Sequence, residues 1–368
     1  MSPIETATDP AQESDSFEVT LRRSQAVEAD LRKRPTHYHM VTGDRPTGSL
    51  HIGHYFGSLR NRVELQAIGV RNFIIIADYQ VLTDRDSVDK IPTHVRELML
   101  DYLAVGLDPN CGHTHIFCHS YVSALNQLLV PFLALVGTGE LERNPTVKDE
   151  IEAAGITNVN AAMLIYPVHQ AADILFCKGN VVPVGRDQLP HLELTRKIAR
   201  RFNQRFCKDS QPLFHEPAAL LSHAPKVLGL DGTQKMSKSR NNAIPIGSSA
   251  DETAALIKKA KTDSIRNISY EPETRPEVAN LLLLVSLCTG EQPERIAERI
   301  GDGGSGRLKT ELTEALNEHL RPIRERRVEL ARDGAETVRA ALEAGNREAN
   351  RVANATLNEV RRAMNMEY

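Results

Sequence analysis

Tryptophan is absent from all 368 residues, so any indole signal in the protein's fluorescence would come from a bound ligand. Cysteine is scarce and scattered. Cys111, Cys118, Cys177, Cys207 and Cys288 form no CxxC pair and no Cys/His ligand spacing, which excludes a disulfide framework and gives no metal or cluster site. The odd, dispersed set reads as reduced thiols of a cytoplasmic protein. No apolar run approaches the ~18 residues of a membrane span. Charge of one sign is also lacking: the formal net charge is -3, so any nucleic-acid surface must be a local basic patch.

The length suggests two domains. Residues 1–36 are polar, lack the charged-then-apolar layout of a signal peptide, and read as a dispensable, disordered leader ending in a short helix around Phe17–Leu31. From His37 strands and helices alternate: YHMVTG, FIIIA (73–77), His115–Cys118 and VVPVG (181–185) read as strands, and Val95–Val105 and Gln188–Phe202 as helices. This pattern predicts an α/β fold with a doubly wound, Rossmann-like parallel sheet over 37–247. From about Ser248 capped helical segments follow one another, predicting an all-helical domain over 248–368. Its Arg321, Arg324, Arg326 and Arg327 read equally as a solvated, salt-bridged face or as an RNA contact.

Two short motifs carry the chemistry. His51-Ile52-Gly53-His54 lies in TGDRPTGSLHIGHYFGSL (42–59), and Lys235-Met236-Ser237-Lys238-Ser239 in DGTQKMSKSRNNAI. Two histidines three residues apart at a helix start share one face, and their ring nitrogens can donate to phosphate oxygens near the positive helix end. A loop carrying two lysines can close over a leaving pyrophosphate and neutralise its charge. In this order the pair resembles the signatures of class I aminoacyl-tRNA synthetases. The HxGH tetrapeptide also occurs in small nucleotidylyltransferases, and the lysine string alone could be a solvated loop.

The intervening text narrows the resemblance. MLIYPVHQAADILF (163–176), VVPVGRDQLPHLELTRKIARRFN (181–203) and TDSIRNISYEPETRPEVANLLLLVSLCTG (262–290) are similar to the bacterial tryptophanyl-tRNA synthetases, from about residue 38 to 366. This implies ATP-dependent activation of L-tryptophan and transfer to tRNA(Trp), with Mg²⁺ arriving on ATP and no protein metal site. It also implies a cytoplasmic homodimer with no membrane association, formed largely by the insertion at 119–165. In that family the position of Asp173 accepts the indole N–H, Tyr166 and Gln188 hold the ammonium, and the stretch Val182 to Gly185, with Val184 in it, and Asp187 shape the pocket floor. Gly43, Gly48 and Gly53 let the backbone approach ATP. His51, His54, Lys148, Lys235 and Lys238 contact phosphates, with Met236, Ser237 and Ser239 completing the ATP-binding loop. Lys148 stands in NPTVKDE, a departure from the family's usual text, and reads equally as a surface lysine.

Three further departures mark a divergent second subgroup. Arg45 replaces a common glutamine, placing a fixed cation beside ATP or the substrate carboxylate. Gln80 stands where many members have histidine, and Gln170 where they have methionine. The alternatives are a tyrosyl-tRNA synthetase, because Tyr166, Gln170 and Asp173 also fit that enzyme's Tyr-x-x-x-Gln-x-x-Asp pattern, another HxGH nucleotidylyltransferase, or an auxiliary copy beside a housekeeping enzyme.

Overall fold

The apolar runs become a sheet of five parallel strands: β1 (His39–Asp44), β2 (Arg71–Ile76), β3 (Thr114–Cys118), β4 (Val181–Val184) and β5 (Ala218–Leu221). Residues 10–83, 88–155, 157–208, 210–221, 227–332 and 336–368 are described by this computed structural model. The strand order is β3-β2-β1-β4-β5. The chain builds outward from β1 on one side and then on the other, and the reversal opens a crevice at the carboxyl ends of β1 and β4, where ligands bind in such sheets. β2 feeds both faces, as the two-residue strand period requires. Ile74 and Ile76 enter one apolar cluster, Phe73 and Ile75 the other.

The helices follow in chain order. They are α1 (Pro10–Lys33), α2 (Ile52–His54), α3 (Arg60–Ala67), α4 (Ile91–Val105), α5 (Ser123–Gln127), α6 (Leu129–Leu133), α7 (Thr138–Glu142) and α8 (Pro145–Ala154). Next come α9 (Ala161–Leu175), α10 (Leu189–Phe206), α11 (Ala250–Lys258), α12 (Pro276–Thr289), α13 (Pro293–Ile300), α14 (Gly304–Arg332) and α15 (Glu336–Ala363). A π-helical turn, Tyr55–Leu59, joins α2 to α3.

The leader departs from its expectation. Residues 1–9 lie outside the described residues, but 10–33 form α1, far longer than a short helix at 17–31. Its few apolar residues are well placed: Leu31 is fully buried beside Met40, Val181 and Leu220, with Val27 packed against them. Buried Ser24 accepts the Leu221 N–H at 2.8 Å. The i,i+4 pairs Arg32–Glu28 (3.1 Å) and Arg34–Asp30 (2.7 Å) add local support. A polar composition concealed one short apolar stripe, and that stripe docks the helix on β5.

The helical region also differs from a free-standing domain. α12 and α14 share a core with α4 and with Ile74 and Ile76 of β2. α15 returns across the sheet, packing on β3 and α5. Gly345 makes that crossing feasible, since a Cβ there would lie 1.8 Å from the Ile116 carbonyl oxygen.

Candidate active site

The first signature sits where the chain leaves β1. Residues 45–50 form a loop turned by Gly48 at φ +112°, and α2 opens with His51 as its N-cap. The His51 N–H donates to His54 Nδ1 at 3.2 Å. A neutral His54 therefore carries its proton on Nε2, where it can donate outward. The two rings stack, with centroids 3.7 Å apart. Burial pushes the His51 imidazole down to about 3 and the His54 imidazole down to about 4, with Lys238 and Lys235 adding repulsion at both. Both rings are neutral donors at pH 7. His51 Nδ1 is buried with no hydrogen-bond partner among the described residues.

The second signature is held against the first. Ile52 N donates to Ile244 O (3.0 Å) and Ile246 N to Leu50 O (2.9 Å), flanking a β-bridge between His51 and Pro245. Asn242 holds the loop from inside. Its side-chain oxygen accepts the Ser237 N–H at 2.8 Å, and its amide donates to Asp231 at 2.7 Å. Met236 is an apolar anchor, 3% exposed. Lys238 Nζ lies 3.3 Å from the point where a Cβ of Gly48 would stand, and a Cβ on Gly53 would press on the His51 ring at 3.0 Å. These two glycines make room for the signatures themselves. Gly43 serves the sheet, as its Cβ would lie 2.6 Å from the Ile75 carbonyl oxygen. Of Ser239, only the backbone is described, in the turn Lys238–Arg240.

A cavity of about 440 Å³ runs from the end of β1 between α9 and β4. It brings together Gly43, Arg45, Gln80, Tyr166, Gln170, Asp173, Gln188 and Lys235. Of the expected β4 residues it takes in Val182 but not Val184, Gly185 or Asp187; Val184 shares the face of Val182 but lies one step further along the strand. Gly185 and Asp187 are exposed beyond the strand. Lys148 is exposed on α8, and its neighbour Glu150 lines the cavity.

Asp173 is 4% exposed at the cavity floor. His119 Nε2 stands 2.8 Å from its Oδ1, although the ring N–H is not directed along that line and Oδ1 has no hydrogen-bond partner. His169 stacks on His119 at 4.6 Å, and its Nε2 is 2.8 Å from Asn126 Oδ1. His119, His169 and Asp173 present ligand atoms within 4.8 Å of one another. The 2.8 Å spacing of His119 and Asp173 is shorter than the roughly 3.3 Å between neighbouring ligands of a tetrahedral zinc ion. The Tyr166 hydroxyl lies 3.0 Å from His191 Nε2. Burial raises the Tyr166 hydroxyl's pKa and drives the His191 imidazole down to about 4, so both are neutral.

Sequence reasoning missed His119, His169, Glu150, Asp231 and Asn242. His119 carried one available signal, its place just past the carboxyl end of β3; the others meet the site only through the fold. At the phosphate end Asp44 is already held by Arg62 (2.7 Å) and the Tyr102 hydroxyl (2.5 Å). Its carboxyl is held below the usual range despite burial, because Arg62 lies against it.

Comparison with known proteins agrees with this geometry. The model of the family "tRNA synthetases class I (W and Y)" matches residues 33–321. The tryptophan–tRNA ligase of Clostridium longisporum is 42% identical over 337 residues, covering 89% of this chain and 97% of the relative. That of Streptococcus pneumoniae is 42% identical over 342 residues, covering 89% and 98%. Among solved structures, tryptophanyl-tRNA synthetase from Campylobacter jejuni, complexed with ADP and tryptophan, superposes with a TM-score of 0.76 at 28% identity, covering 89% of this chain and 99% of that one. The enzyme from Mycoplasma pneumoniae gives 0.75 at 26% identity, covering 90% and 98%. With both signatures joined at the end of β1 and relatives matched along nearly their full length, the chain belongs to the class I tRNA synthetases of the tryptophan and tyrosine type.

Proposed function

We propose that this protein is a tryptophan–tRNA ligase, activating L-tryptophan with ATP and transferring it to the terminal adenosine of tRNA(Trp). The observation that carries the reading is Asp173, a buried carboxylate at the floor of a cavity of about 440 Å³. It suits an indole N–H donor on an otherwise apolar ring. Gln80 and Gln170 flank the ring, and Tyr166 and Gln188 meet the ammonium. Arg45 faces the carboxylate end.

The tryptophan carboxylate attacks the α-phosphorus of ATP. A bond forms from its oxygen to phosphorus while the bond to the β-phosphate oxygen breaks, and pyrophosphate leaves. The carboxylate is already ionised at neutral pH, so the protein supplies no base. It contributes position and charge: neutral His51 and His54 donate to phosphate oxygens, and Lys235 and Lys238 take up the charge moving onto the leaving group. Asp44, at the phosphate end, is occupied by Arg62 and Tyr102, so Mg²⁺ would come on the nucleotide and add positive charge there. The tRNA ribose hydroxyl then attacks the adenylate carbonyl and releases AMP. Exposed Tyr121 and Val130 in the insertion support a homodimer. No helix among the described residues is long and apolar enough to cross a membrane.

ATP–pyrophosphate exchange with tryptophan and tyrosine tests the reaction, and fluorescence titration of a protein that has no tryptophan tests the pocket. Tryptophan should support exchange and tyrosine should not. Asp173→Ala should weaken tryptophan binding by about 1–3 kcal/mol, roughly ten- to hundredfold. Exchange with tyrosine alone, or full affinity in Asp173→Ala, would refute the assignment.

A further inference from the structure

The four arginines at positions 321–327 of α14 have distinct fates. Arg321 is a solvated salt bridge, 2.9 Å from Glu318 and 3.4 Å from Glu325. Arg324 turns inward to Thr253 Oγ1 (2.8 Å). Arg326 donates to the Ala104 carbonyl at 3.4 Å. Arg327 reaches into the catalytic half, where its Nε donates to Asp101 Oδ1 at 2.7 Å and its Nη2 to Glu97 Oε2.

Asp101 is fully buried on α4, and its other oxygen accepts the Leu50 N–H at 2.6 Å. Leu50 immediately precedes His51. Arg327 also lies against the end of the second signature's segment: a Cβ on Gly247 would meet its Nε at 3.0 Å and its Cζ at 3.2 Å. One guanidinium of the helical region thus reaches Leu50 through Asp101 and lies against Gly247, next to the clamp that joins residues 50–52 to 244–246.

We infer that Arg327 and Asp101 are positioning residues for adenylation, passing the position of α14 to His51 through the Leu50 amide. This rests on the reading of the site as an adenylation centre. A carboxylate buried this deeply keeps its charge only while a cation faces it. Burial pushes the Asp101 carboxyl up, and Arg327 and the Leu50 amide pull it back. The charged acceptor fixes the Leu50 amide more firmly than a neutral one. Without Arg327 the carboxyl takes up a proton, the hold on Leu50 weakens, and His51 drifts from the phosphates. The tryptophan cavity, on the far side of β1, has no contact with this chain of bonds. The loss therefore falls on the rate and on ATP.

Arg327→Ala, Arg327→Lys, Asp101→Asn and the Arg327→Ala/Asp101→Asn pair, each in the full chain, test it by steady-state exchange, tryptophan titration and hydrogen–deuterium exchange. Arg327→Ala should lower kcat/KM for ATP by about ten- to hundredfold with tryptophan affinity within about twofold, and Arg327→Lys should recover most of it, since the charge is kept. The double variant should be little worse than the worse single one, as expected for two groups acting in series. Amide exchange across residues 48–54 should quicken in Arg327→Ala, while that of β2 should not. Unchanged ATP kinetics, an equal loss for tryptophan, or additive effects would overturn the proposal. So would unchanged protection at 48–54, which is decisive even if the wild-type protein activates some other amino acid.

Discussion

His51 and His54 show how one pair of residues joins catalysis to stability. The His54 ring accepts the His51 N–H on Nδ1 and donates from Nε2 only while neutral, and burial keeps both rings so, at about 3 and about 4 against an ordinary 6.5. The unfolded chain accepts protons on these histidines below pH 6.5, whereas the folded chain refuses them until pH 3–4. Stability from these groups is thus fully present above pH 6.5 and declines as pH falls toward the folded values. His54→Asn should flatten part of that decline. Urea midpoints between pH 4 and 7.5 should converge at the acid end for the variant and wild type, and a parallel pair of curves would show that the His54 ring is not held neutral by burial.

At the scale of elements, local propensity and tertiary contact disagree at Gly345. Alanine in mid-helix is favoured over glycine by about 1 kcal/mol, so an isolated α15 would gain from Gly345→Ala. In the fold that methyl would lie 1.8 Å from the Ile116 oxygen of β3, and backbone cannot yield as a flexible side chain can. Gly345→Ala should cost about 1–3 kcal/mol, read as a lower Tm. Gly306→Ala in α14, where the Cβ would meet open space, should raise Tm or leave it unchanged. A stabilised Gly345→Ala would mean that α15 does not cross β3 so closely. The same disagreement explains α1. Its composition reads as a leader, yet the burial of Leu31 alone is worth about 1.5–3 kcal/mol, and Ser24 satisfies an N–H on the outermost strand.

For the whole molecule, the insertion at 119–165 leaves Tyr121 67% exposed and Val130 71% exposed. Nearby Leu128 and Phe132 are fully buried, so the segment is folded rather than loose. A symmetric dimer would cover these side chains with the same patch of a second copy. Light scattering coupled to size exclusion should report a dimer for the full chain, and Val130→Glu should shift it toward monomer. A wild-type monomer at micromolar concentration would exclude this surface as a stable interface.

The sequence by itself determined four of the five strands and the two contiguous signatures. FIIIA can only be a strand buried on both faces, and residues in contiguous motifs keep their spacing in any fold. β5 escaped notice because AALL is short and carries no period. Asp173, Tyr166, Gln170 and Gln188 line one cavity. Tertiary structure alone decided how distant residues meet: His119 beneath Asp173, Asn242 within the lysine loop, Arg327 behind Leu50, and α15 across β3. Such contacts depend on which helix faces which strand, and burial energy settles that over the whole chain. That Val182 lines the cavity while Val184, on the same face of β4, does not depends on where the cavity ends along the strand, and the outward turn of Lys148 on helix phase; a motif's text leaves both open.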